Sequence, residues 1–444
     1  HQNMDAIGMF KPISKWDHGI YTAESLPEIV RKAFKTAVQE KPGVCVIELP
    51  EDVAKRDSDE PPMPVIPTRR PAADHKAITR AVDLISNAKS PIVLAGNGAV
   101  RKRASAQLRR FVRKLGIPCV NTFMGKGAVA MSDPHCLYTI GLQGRDHVNK
   151  AFHDADLVIT VGYDLVEYGP KSWNADRNKK IVHIDFLPAE IDQHYPVDVD
   201  VAADLADALW QINEELNRRH IDLLPFFDIG QWAGLRQTIA DDLAAEKDDD
   251  SFPMKPQRIL NDVRAFLGAS DILLSDVGAH KMWIARYYQC EDPNTCLISN
   301  GFCTMGFAMP GAIGAKMAHP EKRVLSINGD AGFLMNVQEL ETAARLGCNT
   351  VTMIWLDGEY GLIKWKQQNQ FDGKHSDLAF NNPDFEHLAK AFGIWGKVID
   401  GPGQIAAALE EAFAQDGPAL IAVPVDYSEN VKLTKRLGEI EVSI

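Results

Sequence analysis

The chain is predicted to form α/β domains built on doubly wound parallel sheets, and three features of its 444 residues predict it. Val324–Ile327 and Thr350–Leu356 are short, apolar, β-branched runs, and between them Leu334, Val337, Leu340, Ala344 and Leu346 recur at helical spacing. That pattern makes a βαβ unit, whose two strands run the same way and whose loops emerge at one edge of a sheet. Upstream, Pro91–Ala95, Ala104–Leu115, Leu157–Val161 and Ile181–Ile184 alternate strand, helix, strand and strand in the same manner. Finally, two breaker-rich stretches, Ala54–Lys76 with five prolines and Glu246–Pro256, cut the chain into a head, a middle and an end.

The boundaries expected from these breaks are 1–66, 67–245 and 246–444. The head carries one helix, Ser25–Gln39, and one strand, Val44–Leu49, too little to enclose a core of its own. In the middle segment the Leu94–Val100 turn, LAGNGAV, invites a dinucleotide reading. Gly96 and Gly98 lack the third glycine of that fingerprint, so a plain strand-to-helix turn is the expectation. The last segment adds strands at Asp271–Ser275 and Cys296–Ser299, each followed by a polar, small-residue turn. Within 324–356, Asn336 and Glu339 are spaced as a capping pair and Gly347 as a helix stop.

Composition excludes several function classes. A net charge of −12 disfavours nucleic acid and anionic membranes as partners, and no apolar run reaches the length of a membrane span. Seven scattered cysteines without ligand spacing read as reduced thiols of a cytoplasmic protein, and thirteen histidines form no zinc motif.

The chemistry concentrates at Gly329-Asp330 and Asp357-Gly358, whose aspartates lie 27 residues apart at the ends of successive strands. Two carboxylates converging at one sheet edge suit a hard divalent cation. The cation suits a diphosphate, which glycine-flanked backbone and a helix start can approach.

This stretch resembles the thiamine-diphosphate signature, and its flanks resemble acetolactate synthases. The resemblance implies three α/β domains of similar size, of which this chain covers the end of the first and all of the second and third. It implies thiamine diphosphate and Mg²⁺, the metal held by Asp330, Asp357 and the main-chain oxygen of Glu359. Leu356 stands where the family usually has Asn. Gly329, Ala331, Gly332, Tyr360, Gly361 and Leu362 would border the diphosphate, and Val277, Gly278, Ala279 and His280 its side of the cavity. In SNGFCTMGFAMPGAIGAKMA (Ser299–Ala318), Met305 would wedge the bent cofactor while the main chain of Cys303 and Met305 grips its pyrimidine. Taken alone, Met305 reads as core filling and His280 as a turn residue.

The implied reaction condenses two pyruvates to 2-acetolactate with loss of CO₂. Its catalytic candidates are Met305, His280, Gln2 near the reacting carbon, and Lys366, which stands where biosynthetic members have Trp. Lys364 and Lys366 read equally as a solvated helix face. Gly162–Tyr168 (GYDLVEY) replaces the Arg-Phe-Asp-Asp-Arg run of flavin-binding members, so FAD is not expected; with Gly278–Tyr288 (GAHKMWIARYY) it is similar to the catabolic, flavin-independent type. The family's pyrimidine-activating glutamate has no match here, and the polypeptide as given is expected to turn over little pyruvate. A homodimer or homotetramer is implied. Another 2-keto-acid carboligase or decarboxylase, a flavin-binding biosynthetic form and a non-catalytic cofactor binder are the alternatives.

Overall fold

Parallel pairing organises every sheet of the protein. The computed structural model describes residues 4–67, 70–142, 147–219 and 227–433. In the head, β1 (Trp16–Gly19) pairs with β2 (Cys45–Glu48), and the helix Leu26–Val38 crosses between them. Ile20, Ile29 and Val53, flanked by Trp16 and Ile47, form a small apolar cluster of their own. The short β1 carries Asp17, His18 and Gly19, so no apolar run announces it in the sequence.

The middle sheet contains β3 (Pro91–Ala95), β4 (Cys119–Asn121), β5 (Cys136–Thr139), β6 (Leu157–Val161), β7 (Lys180–Asp185) and β8 (Val199–Ala202), in the order β5-β4-β3-β6-β7-β8. The third sheet contains β9 (Ile272–Ser275), β10 (Cys296–Ile298), β11 (Val324–Gly329), β12 (Val351–Leu356), β13 (Trp395–Val398) and β14 (Ala419–Pro424), in the order β10-β9-β11-β12-β14-β13. Every residue of β3 and β6 is buried, as are the first five of β11 and of β12, because helices cover both faces. Strands buried on both sides read as continuous apolar runs, which is why they were legible.

Helix ends follow local chemistry. Asp74 caps His75–Asn87 through the Ala77 N–H, Asp204 caps Leu205–Arg218 through the Asp207 N–H, and Gly116 ends Lys102–Leu115 at φ +70°. Pro256 opens the helix Pro256–Phe266. The expected single helix after β11 is instead two, Asp330–Leu334 and Glu339–Arg345. Asn336 does not cap: its amide donates to the Gly306 carbonyl at 2.7 Å, a tertiary use that breaks the helix. Gly347 does end the second helix, at φ +60°.

The middle and third sheets share one continuous core. Lys126, wholly buried at their junction, donates to Thr139 Oγ1 at 3.1 Å and to the Ala285 carbonyl at 2.9 Å. Within the described residues no helix is long and apolar enough to cross a membrane.

Each six-stranded sheet has a switch point, β3/β6 in the middle sheet and β9/β11 in the third, where successive connections leave in opposite directions. Ligands of open α/β sheets bind at such crevices. At β3/β6 the two turns touch backbone to backbone. Gly98 donates its N–H to the Gly162 carbonyl at 2.8 Å, and a Cβ at Gly162 would lie 2.5 Å from Gly98 Cα, at φ +57°. Gly162→Ala is therefore expected to cost about 2–4 kcal/mol, read as a lower denaturant midpoint for the first unfolding transition.

Candidate active site

The β9/β11 crevice collects three carboxylates. Asp276, Asp330 and Asp357 follow β9, β11 and β12, neighbours whose register pairs Ile327 with Ser275 and Gly329 with Trp355. Asp330 is buried and immobilised. Its Oδ2 accepts from the Asn382 amide at 2.7 Å, the Gly358 N–H at 2.8 Å and the Asp357 N–H at 3.3 Å, and its Oδ1 accepts from the Ala331 N–H at 2.9 Å. The Asp357 loop is held by a short ribbon in which Phe380 donates to the Gly358 carbonyl and Tyr360 to that of Leu378. Gly358, at φ +66°, makes the turn.

Burial raises the Asp357 carboxyl to about 7, and the neighbouring Asp330 charge adds to the rise. The Glu359 side chain is paired with Lys364, and its main-chain oxygen accepts the Gly361 N–H at 2.9 Å, leaving a lone pair. Within the described residues no group of three or more His, Cys, Asp or Glu side chains is arranged to hold a metal. Two carboxylates plus a main-chain carbonyl form a smaller donor set of the all-oxygen kind that Mg²⁺ takes.

These groups border a cavity of about 230 Å³. The structure brings to it every residue that the resemblance places at the cofactor: Val277–His280, Cys303, Met305, Gly329–Gly332, Asp357 and Glu359–Leu362. Ile363 and Tyr427 complete the lining. The lining holds three carboxylates and no Lys or Arg, so it could accept a diphosphate only together with a cation. His280 is 2% exposed, and its Nε2 has no partner within the structure. Burial pulls its imidazole down to about 3, so at neutral pH it is uncharged, with an unfilled hydrogen-bonding position among the described residues.

Asp276, in the turn after β9, positions the Met305 loop. Its carboxylate accepts the N–H groups of Gly306, Phe307 and Ala308 at 3.1, 2.9 and 3.4 Å. A Cβ at Gly332 would lie 2.1 Å from its Oδ2, so that position must be glycine for the two loops to close. The sequence carries a signal for it, since LLSDVG, INGDAG and WLDGEY all end a strand with Asp within two residues of a Gly. Asn382 and Tyr427 come from separate loops with no such marker.

One catalytic candidate does not reach the cavity. Lys366 is exposed on the helix Gly361–Gln370, one turn beyond Leu362 and Ile363, and does not line it. Gln2 lies outside the described residues.

The β3/β6 cleft is larger, about 370 Å³, but its polar groups are already engaged. The buried Glu167 carboxylate accepts from the Asn97 N–H (3.0 and 3.1 Å), the Asp164 N–H (3.1 Å) and Thr122 Oγ1 (2.6 Å). It sits where the LAGNGAV turn would offer its amide to an external anion. Arg101 is bidentate to Glu40, and Lys41 pairs with Asp164 and Glu190.

Residues 78–212 match the family described as thiamine pyrophosphate enzyme, central domain, and residues 276–423 match the C-terminal TPP binding domain. The chain is 32% identical to the acetolactate synthase of Bacillus subtilis (strain 168), across 99% of this chain and 78% of that protein. The chain belongs to the acetolactate synthase family. It is 32% identical to the catabolic acetolactate synthase of Raoultella terrigena (100% of this chain, 78% of that one). It is 34% identical to a probable acetolactate synthase large subunit of Methanococcus aeolicus (97% and 75%). As a member of this family the protein is a thiamine-diphosphate-dependent enzyme, and the cavity lies inside the matched C-terminal domain.

The depressed imidazole has a measurable consequence. Between pH 6.5 and about 3 the unfolded chain carries a proton on His280 that the native chain does not, so stability drops as pH falls through this window. The loss is up to about 1.4 kcal/mol per pH unit, and subtracting the stability curve of His280→Asn should isolate it.

Proposed function

We propose that the protein condenses two molecules of pyruvate to 2-acetolactate with release of CO₂, using thiamine diphosphate held by Mg²⁺ in the β9/β11 cavity. The observation that carries this reading is the buried Asp330–Asp357 pair in a lining without a cationic side chain. Asp330, Asp357 and the Glu359 main-chain oxygen would hold the metal. Gly329, Ala331, Gly332, Tyr360, Gly361 and Leu362 border the diphosphate, and Val277–His280 form the opposite wall. Cys303 and Met305 would offer main-chain groups to the pyrimidine, and the flexible Met305 thioether would pack against the cofactor's rings. Bound thiamine diphosphate supplies the nucleophilic carbon and the electron sink for decarboxylation and carboligation.

The chain's own residues bind, orient and exclude water. Neutral His280 can accept or donate one hydrogen bond at the cavity wall. Asp276 holds the wedge loop at a fixed height above Gly332. Lys366, exposed one turn beyond the lining, would meet the carboxylate of the acceptor keto acid only once a substrate or second subunit covers this face.

A flavin-independent, catabolic enzyme is the form favoured by the middle-domain cleft. Glu167 takes the turn amide that a flavin diphosphate would need, and Arg101 and Lys41 are spent on internal carboxylates. A homodimer or homotetramer in the cytoplasm completes the reading, and Phe302, 99% exposed beside the cavity, supports burial of this face in an assembly.

Calorimetric titration tests the site. Thiamine diphosphate should bind only with Mg²⁺, and Asp330→Ala or Asp357→Ala should weaken binding at least about a hundredfold. Because the metal must displace the proton from Asp357, apparent Mg²⁺ affinity should fall below pH 7, by up to about tenfold per pH unit. The purified protein should show no visible flavin absorbance. The activity is tested by acetolactate formation from pyruvate, using the chain with any residues that precede His1 in its reading frame; cofactor binding without acetolactate would contradict it.

A further inference from the structure

Lys281 is 5% exposed and, among the described residues, makes no ion pair. Its ammonium donates to Asn300 Oδ1 at 2.8 Å and lies 3.1 Å from Cys303 Sγ. A buried cation whose partners are an amide oxygen and a thiol lacks the anion that usually compensates it. Cys303 is held at φ +56° and is half-buried, and it lines the same cavity as His280. Of the other six cysteines, five are buried, and Cys45 lies in the head strand β2. Only at Cys303 do a part-exposed sulfur, a contacting ammonium and a ligand cavity coincide.

We propose that Cys303 is a peroxide-sensitive thiol whose oxidation to a sulfenic acid closes the pyrimidine end of the cavity, with Lys281 as the cation that promotes the step and retains the product. This rests on the reading of the cavity as the cofactor site. The co-reactant is hydrogen peroxide. The sulfur attacks one peroxide oxygen, an S–O bond forms and the O–O bond breaks. The departing hydroxide takes the thiol proton and leaves as water. Sulfur is oxidised by two electrons and peroxide is reduced by two. Lys281 stabilises the negative charge on the departing oxygen, then donates to the oxygen left on sulfur. That oxygen occupies the wall where the Cys303 and Met305 main chain would meet the pyrimidine. A thiol reductant reverses the change.

The test uses the whole chain, brief peroxide treatment, trapping of sulfenic acid with dimedone and mapping by mass spectrometry. Cys303 should label at least about tenfold faster than any other thiol in the folded protein, and all seven should label alike in denaturant. Lys281→Gln should slow Cys303 labelling at least about fivefold, and Cys303→Ser should abolish the fast phase. Peroxide should weaken Mg²⁺-dependent thiamine diphosphate binding about tenfold in the unsubstituted protein, restored by dithiothreitol, and should leave the affinity of Cys303→Ser at its own untreated value. Preferential labelling elsewhere, equal labelling without Lys281, or oxidation that leaves cofactor affinity unchanged each overturns the proposal. If the untreated protein fails to bind cofactor, the site reading falls, and the labelling arm still decides the reactivity of Cys303.

Discussion

Two aspartates forced together at one crevice set the terms for the rest of the site. Parallel pairing of β9, β11 and β12 brings Asp330 and Asp357 to the same sheet edge, and burial there makes their joint ionisation costly. Nothing in the lining neutralises them. Asp330 is fixed by four N–H donors, and a glycine turn sets the Asp357 backbone beside it. A divalent cation would resolve this strain, and the same cation would turn an acidic cavity into one that accepts a diphosphate.

Around that pair, the loops are coupled by backbone rather than by charge. Asp276 ties the Gly306–Ala308 amides to the end of β9, Asn336 holds the Gly306 carbonyl, and the absence of a side chain at Gly332 lets the two layers meet. The Met305 loop is thereby fixed relative to the two aspartates although 25 residues separate it from Asp330. The middle sheet has the same crevice geometry with the opposite outcome. There an internal carboxylate, Glu167, takes the position an external anion would take, and burial raises it to about 7. One architecture thus yields one crevice whose carboxylates lack a cationic partner in the lining and one whose charged groups are paired with each other.

Much of this was legible in the sequence because strands buried on both faces leave unbroken apolar runs, and because Gly-Asp and Asp-Gly mark where such runs meet a ligand edge. The residues lining the β9/β11 cavity fall mostly in short contiguous motifs. What stayed hidden depends on contacts between distant segments: Asn382 on Asp330, Tyr427 in the lining, and Lys281 against Cys303. The capping reading of Asn336 failed for the same reason, since its amide finds a tertiary partner that local spacing cannot reveal. Lys366 shows the converse limit. It follows the motif in sequence, yet helix geometry sets it one turn past the lining.

Crystals grown with thiamine diphosphate and Mn²⁺ in place of Mg²⁺, with anomalous maps at the manganese edge, test the central claim most directly. The account predicts one strong peak in contact with the Asp330 and Asp357 carboxylates and the Glu359 main-chain oxygen, adjoining the cofactor's diphosphate. A cofactor bound in the cavity with no peak there, or a peak bound by other residues, would contradict it.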